Sequence, residues 1–105
     1  MNEIMQGTTP ELTITIKKTD FLLTDVEKIE LVVQNGNNLT TYTEAELLLD
    51  AEANTVTLAF TEEETAALSR KYQVLVQARF WLTGGGVVGI KKISFQVADM
   101  LGVGD

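Results

Sequence analysis

Residues 72–83 and 87–98 each alternate in polarity along their length, and Gly84-Gly85-Gly86 joins them. In the first run Tyr72, Val74, Val76, Ala78, Phe80 and Leu82 share one face, while Gln73, Gln77, Arg79 and Thr83 share the other. A period of two sustained this long belongs to a strand with one buried and one wet face. The glycines reach left-handed backbone at little steric cost, so the chain is expected to reverse there and return as the antiparallel partner. So long a hairpin points to an all-β domain.

Shorter segments agree. Leu12, Ile14 and Ile16 alternate with threonines directly after Pro10, a residue at home where an edge strand begins. Residues 18–24 read as a connection in which Phe21 and either Leu22 or Leu23 tuck under the sheets. Residues 27–34 give a second strand with Ile29, Leu31 and Val33 inward. Asn35-Gly36-Asn37-Asn38 is a turn, because Asn and Gly tolerate left-handed geometry. Residues 39–43 then form a Thr-rich third strand and 45–49 a fourth. After a turn over 50–54, Val56, Leu58 and Phe60 face inward from a fifth. Thr61-Glu62-Glu63-Glu64 has the form of a capping box, which predicts a short helix over 62–68.

About seven strands with turn signals every 8 to 12 residues are the mark of a two-sheet sandwich. The expected fold is therefore an immunoglobulin-like antiparallel β-sandwich with one short helix. A small closed barrel, or a single sheet carrying the helix, are the alternatives. At 105 residues the chain is read as one domain, with residues 1–10 an extended N-terminal arm and 99–105 a C-terminal tail. A chain of this size buries roughly two-thirds of its unfolded surface, enough for a core without staples.

Composition narrows the chemistry. There is no cysteine and no histidine. Disulfides and thiolate chemistry are excluded, and the commonest general base, metal ligand and neutral-pH switch are missing. The net charge of −7 argues against nucleic acid, whose phosphates call for clustered Lys and Arg. Residues 1–64 hold 13 acids and 3 bases, residues 65–105 hold 2 acids and 5 bases. Such an imbalance reads as a solvated acidic surface, or as two poles that orient partners. No run approaches the ~20 apolar residues of a membrane helix, so no membrane partner is expected, and residues 1–11 do not have the form of a secretory signal peptide.

Chemical motifs are few. Gly84-x-Gly86-x-x-Gly89 matches a nucleotide-binding fingerprint in letters only, since a β-branched strand pattern follows where a helix must open. A hairpin tip with a bulge at Gly89 accounts for it. Glu44, Glu46, Asp50 and Glu52 are metal-compatible carboxylates without the spacing of a calcium loop, and a solvated acidic edge explains them. Asn38-Leu39-Thr40 is a glycosylation sequon, a frequent chance match. No catalytic residue, cofactor or metal site is expected.

Trp81 stands out on the outward face of its strand, with Leu75 and Arg79 on that face and Val32 outward from the second strand. Trp and Arg are enriched where interfaces concentrate their energy. The ring is covered either by the chain's own helix or a loop, or by another molecule. Trp81, Arg79, Leu75 and Val32 therefore form the candidate interaction patch, with Lys91 and Lys92 near its border.

These segments together resemble small structural proteins of tailed phages and prophages of Firmicutes, in particular the β-sandwich domain at the N-terminus of their baseplate upper proteins. The resemblance is carried by Gln6-Gly7-Thr8-Thr9-Pro10 before a strand, Leu23-Thr24-Asp25 before Ile29-Glu30-Leu31, and Thr55-Val56-Thr57-Leu58 before Thr61-Glu62-Glu63-Glu64-Thr65. Val74-Leu75-Val76-Gln77-Ala78-Arg79 ahead of a Gly-containing hairpin completes it. It implies a non-enzymatic, virion-associated tail or baseplate module that docks on other virion proteins or on itself. It further implies synthesis in the bacterial cytoplasm and assembly into the particle. With no receptor-binding segment after residue 105, an adaptor or accessory protein is expected. The second expectation is a ligand-binding or sensor β-sandwich of a larger extracytoplasmic receptor. A hydrolase built on Glu44, Glu46 and Asp50 is the remote third.

Overall fold

The computed structural model describes residues 3–90 and 92–99. The strands are β1 (Glu3–Met5), β2 (Glu11–Thr15), β3 (Val26–Asn35), β4 (Asn38–Thr43), β5 (Leu48–Asp50), β6 (Thr55–Ala59), β7 (Val74–Leu82), β8 (Val87–Gly89) and β9 (Ile93–Ala98). The helix α1 (Glu62–Ala66) joins β6 to β7. One sheet runs β1-β9-β7-β3-β4, with β8 also paired to β7, and the second runs β2-β6-β5. This is a β-sandwich with an immunoglobulin-like strand order, in which successive hairpins alternate with crossings between the sheets. Every pair is antiparallel except β1 with β9.

The alternation places the core. Val74, Val76, Ala78 and Phe80 of β7 are completely buried and meet Ile29, Leu31 and Val33 of β3 on the same inner face. Val56 and Leu58 of β6, with Ile14 of β2, close from the second sheet. Each of these side chains larger than alanine contributes roughly 1.5–3 kcal/mol by leaving water. Phe21 and Leu23 are the connection residues that tuck under, Leu22 staying exposed, and the Phe21 ring lies 5.1 Å from that of Phe80.

Several expectations needed correction. The return limb of the long hairpin is not continuous. Arg79 faces Gly89, which in an unbroken ladder would set Val76 opposite Lys92, yet Val76 faces Ile93. One extra residue is thus accommodated between Gly89 and Ile93, a bulge slightly later than Gly89 itself. Tyr72, expected inward at the start of this hairpin, precedes β7 and is exposed. The fourth strand is displaced: Glu44–Glu46 form a 3₁₀ turn and the strand is Leu48–Asp50. The helix is Glu62–Ala66, shorter than 62–68, although its capping box forms as read, with Thr61 and Glu64 bonding each other's backbone amides. The first ten residues are not a free arm. Glu3–Met5 is a sheet strand, Ile4 is buried, and Gln6 donates to the Leu68 carbonyl. Thr65, buried in α1, holds both the amide and the carbonyl of Thr8. Lys91 and the tail beyond Asp99 lie outside the described residues.

Two buried asparagines tie the ends of the sandwich. Asn54 adopts φ 57, a left-handed value that Asn tolerates better than most residues. Its amide donates to the carbonyls of Ile16 and Phe21 while its oxygen accepts from Leu23, which fastens the loop after β2 to the turn before β6. Asn35, at the end of β3, does the same for the segment after α1. It accepts from the Ser69 amide at 2.7 Å and donates to the carbonyls of Ser69 and Tyr72.

Candidate functional site

The four residues of the expected patch share the outer face of the six-stranded sheet. Glu30 pairs with Arg79, Val32 with Gln77 and Gln34 with Leu75 across β3 and β7. A bulge in β3 decides what meets Trp81. Val26 faces Leu82, so an unbroken ladder would set Glu27 opposite Trp81; the extra residue brings Lys28 there. The Lys28 ammonium sits 4.7 Å from the ring centroid and the Arg79 guanidinium 4.9 Å, both within cation–π range. Arg79 also donates to the Glu30 carboxylate directly across the ladder.

The indole is flanked by two cations from the sheet's own outer face. The ring remains partly exposed, as do Leu75 and Val32, and Arg79 is exposed. Shallow hollows run along this face, one between Glu30, Val32, Gln77 and Arg79, the next between Val32, Leu75 and Lys92. Chemically it is a flat, mixed surface: an aromatic, aliphatic patches, and the cations Lys28, Arg79 and Lys92 around the Glu30 carboxylate.

A second site was not legible in the sequence. Between β4 and α1 lies a groove of about 370 Å³, with Val33, Phe60 and Leu68 among its apolar walls and Tyr42, Asn38 and Glu64 supplying polar groups. Its wall is set by the turn Asn35-Gly36-Asn37-Asn38. Gly36 has φ 65 while Asn37 stays negative, a type II′ hairpin turn. A Cβ at Gly36 would lie 2.7 Å from the exposed Tyr72 ring, which would have to move to admit it.

Inside the groove the Tyr42 hydroxyl donates to Oε2 of Glu64, and the Thr61 amide donates to Oε1. Burial by itself would raise the Glu64 carboxyl pKa, but the hydrogen bonds from Tyr42 and Thr61 prevail and hold it below its ordinary value. Tyr42 is buried beside these carboxylates, and desolvation first, then the bond to Glu64, push its hydroxyl far above the usual range. The pair is therefore a neutral phenol holding an ionised carboxylate. The ion pairs among the described residues, Arg70 with Asp99 and Arg79 with Glu30, lie elsewhere.

Of the other acidic candidates, Glu44, Glu46 and Asp50 serve the backbone. Glu44 accepts from the Ile29 amide, and its backbone bonds, its own amide first, hold its pKa low. Glu46 accepts from the Thr43 amide, and Asp50 from that of Ala53. Among the described residues no group of three or more acidic side chains is placed to share a metal ion. Gly84, Gly86 and Gly89 lie in a hairpin tip and in β8, followed by strand and not by helix. Among the described residues no helix is long and apolar enough to cross a membrane.

No protein-family model and no curated protein matches the chain.

Proposed function

We propose that this chain is a non-enzymatic protein–protein interaction module of a phage or prophage virion, of the tail or baseplate class, acting through the outer face of its six-stranded sheet. The observation that carries the reading is the Trp81 cluster: a partly exposed indole flanked by Lys28 and Arg79, bordered by Leu75 and Val32. Holding the two cations against the ring limits the rotamer freedom they would lose on docking, which lowers the cost of binding there. The phage assignment itself rests on the sequence resemblance, which also places synthesis in the bacterial cytoplasm and the finished protein in the particle. The partners are then other virion proteins, or further copies of the chain.

The test is direct. Particles purified from a strain carrying the gene should contain the chain in fixed ratio to tail proteins, and Trp81→Ala should reduce its incorporation while leaving the isolated domain folded. Absence from particles, with a strictly monomeric protein on light scattering, would sink the reading.

The second reading, a ligand-binding or sensor sandwich of a larger extracytoplasmic receptor, is favoured by the groove between β4 and α1. Its volume of about 370 Å³ lies within the usual range for small-molecule sites. It predicts a ligand-dependent rise in Tm for some member of a metabolite panel.

A further inference from the structure

The groove lies beside an open strand edge, and the two together define a site. β4 is the outermost strand of its sheet. It is the longest of the sheet-border strands, and Asn-Leu-Thr-Thr-Tyr-Thr contains no charge and no proline. Edges that avoid pairing usually carry such guards. The two-residue turn makes Asn35 and Asn38 a hydrogen-bonded pair, so the ladder's alternation turns the amides and carbonyls of Leu39, Thr41 and Thr43 away from β3. The Thr43 amide accordingly bonds the Glu46 carboxylate, while Leu39 and Thr41 keep theirs toward solvent. Leu39 is 64% exposed on the outer side of this edge. On its inner side the groove leads to the ionised Glu64 carboxylate, which has two neutral donors and no cation among the described residues.

We propose that the β4 edge accepts an extended segment of another protein as an added strand, and that a lysine or arginine of that segment enters the groove to pair with Glu64. Backbone bonds to Leu39 and Thr41 supply affinity, and alternate side chains supply specificity. One face of the segment carries the base inward, and the other carries an apolar residue over Leu39. A second copy of this chain does not fit the role. The border strands it would offer, Glu3–Met5, Glu11–Thr15, Asn38–Thr43, Leu48–Asp50 and Val87–Gly89, contain no lysine or arginine, and three of them bring an acid toward Glu64. Leu39 and Thr41 pair with Gln34 and Val32 on the outer face, but Trp81 pairs with Lys28 farther along β3, so substitution of Trp81 tests this site apart from the function proposed above.

The experiment is a ¹⁵N NMR titration of the full chain at low ionic strength with Ac-Thr-Thr-Val-Lys-Val-Thr-Thr-NH₂, whose two valines face opposite to its lysine, and with the same peptide bearing Glu in place of Lys. The lysine peptide should shift the amides of Leu39–Tyr42 and of Glu64 at millimolar concentration and slow the exchange of Leu39 and Thr41; the glutamate peptide should not. Glu64→Gln, which retains the helix cap, should weaken binding about tenfold or more, the worth of one charge-assisted bond. Thr41→Pro should also block it, because that amide is not used by the β3–β4 ladder. Equal binding of the two peptides, no shift at millimolar peptide, shifts confined to the Trp81 face, or full affinity in Glu64→Gln would each overturn the proposal. Binding of n-butylammonium as tight as the peptide's, unaffected by Thr41→Pro, would assign the groove to a small molecule instead. Self-association through β4 without peptide would assign the edge to a second copy. Trp81→Ala should leave the titration unchanged.

Discussion

The outer face of the six-stranded sheet and the groove at its β4 border are both part apolar and part charged, yet they balance charge in opposite ways. On the outer face cations are in excess and are held by an acid and a ring: Glu30 holds Arg79, Arg79 and Lys28 flank Trp81, and Lys92 lies at the border. In the groove an ionised Glu64 is held only by the neutral donors of Tyr42 and Thr61. The difference teaches that an aromatic residue marks a surface that can dock by shape, while an unneutralised carboxylate marks one that selects its partner by charge. It also means that the groove should be sensitive to pH and to single polar deletions, and the outer face tolerant of both.

The largest contrast is expected from Asn35→Ala, which removes the anchor behind the groove. The Ser69 amide and the Ser69 and Tyr72 carbonyls lose their buried partner, at a cost of about 2–4 kcal/mol in urea unfolding. A loss under about 1 kcal/mol would show that the groove end is not held as the geometry requires.

Gly36→Ala should follow, at about 1–2 kcal/mol, because a Cβ must adopt left-handed φ. The contact with Tyr72 adds to this only if that exposed ring cannot swing aside. Combining Gly36→Ala with Tyr72→Ala separates strain from collision: an unchanged cost assigns it all to the backbone.

Tyr42→Phe should cost about 1–2 kcal/mol at neutral pH, through the lost bond to a carboxylate. The sign of its pH dependence follows from linkage. Glu64 has a lowered folded pKa, so its contribution is complete above the ordinary carboxylate pKa and is lost as pH falls through the lowered value. Tyr42 has a raised folded pKa, so the unfolded chain ionises first and stability falls as pH climbs past the ordinary phenol value of about 10. The gap between wild type and Tyr42→Phe, followed by thermal melts, should be widest near neutrality and narrow toward both extremes. A constant gap would break the contrast with the outer face.

The smallest effect belongs to the outer face. Lys28→Ala should destabilise by about 0.5–1 kcal/mol at most, since an exposed cation–π contact is worth no more. Because the chain has one tryptophan, its fluorescence reports the site directly: emission should shift and quenching by neutral acrylamide rise. An effect as large as that of Asn35→Ala would mean that the outer face is built as rigidly as the groove.

Local pattern carried much of this architecture. Period-two runs over 74–82 and 26–35, the Asn-Gly turn and the Thr61–Glu64 capping box are each decided within a few residues, so they can be read in order along the chain. The patch of Trp81, Arg79, Leu75 and Val32 was placed on one face by the same period, and its shared face follows from the ladder. Where two options were locally equal, the reading failed. Residues 45–49 offered helix formers and apolar residues alike, and pairing with β6 settled the strand at Leu48–Asp50.

What the sequence determined by itself, then, was a half-buried β architecture, its turns and the sidedness of its longest strands, because side-chain alternation and backbone sterics act between near neighbours. What only the tertiary structure decided was which distant residues meet. The bulge that sets Lys28 across from Trp81, the capture of Glu3–Met5 by β9, the two anchoring asparagines and the closing of Tyr42 on Glu64 depend on register and sheet packing. Those are set by the joint burial of many side chains, and no single segment carries that information.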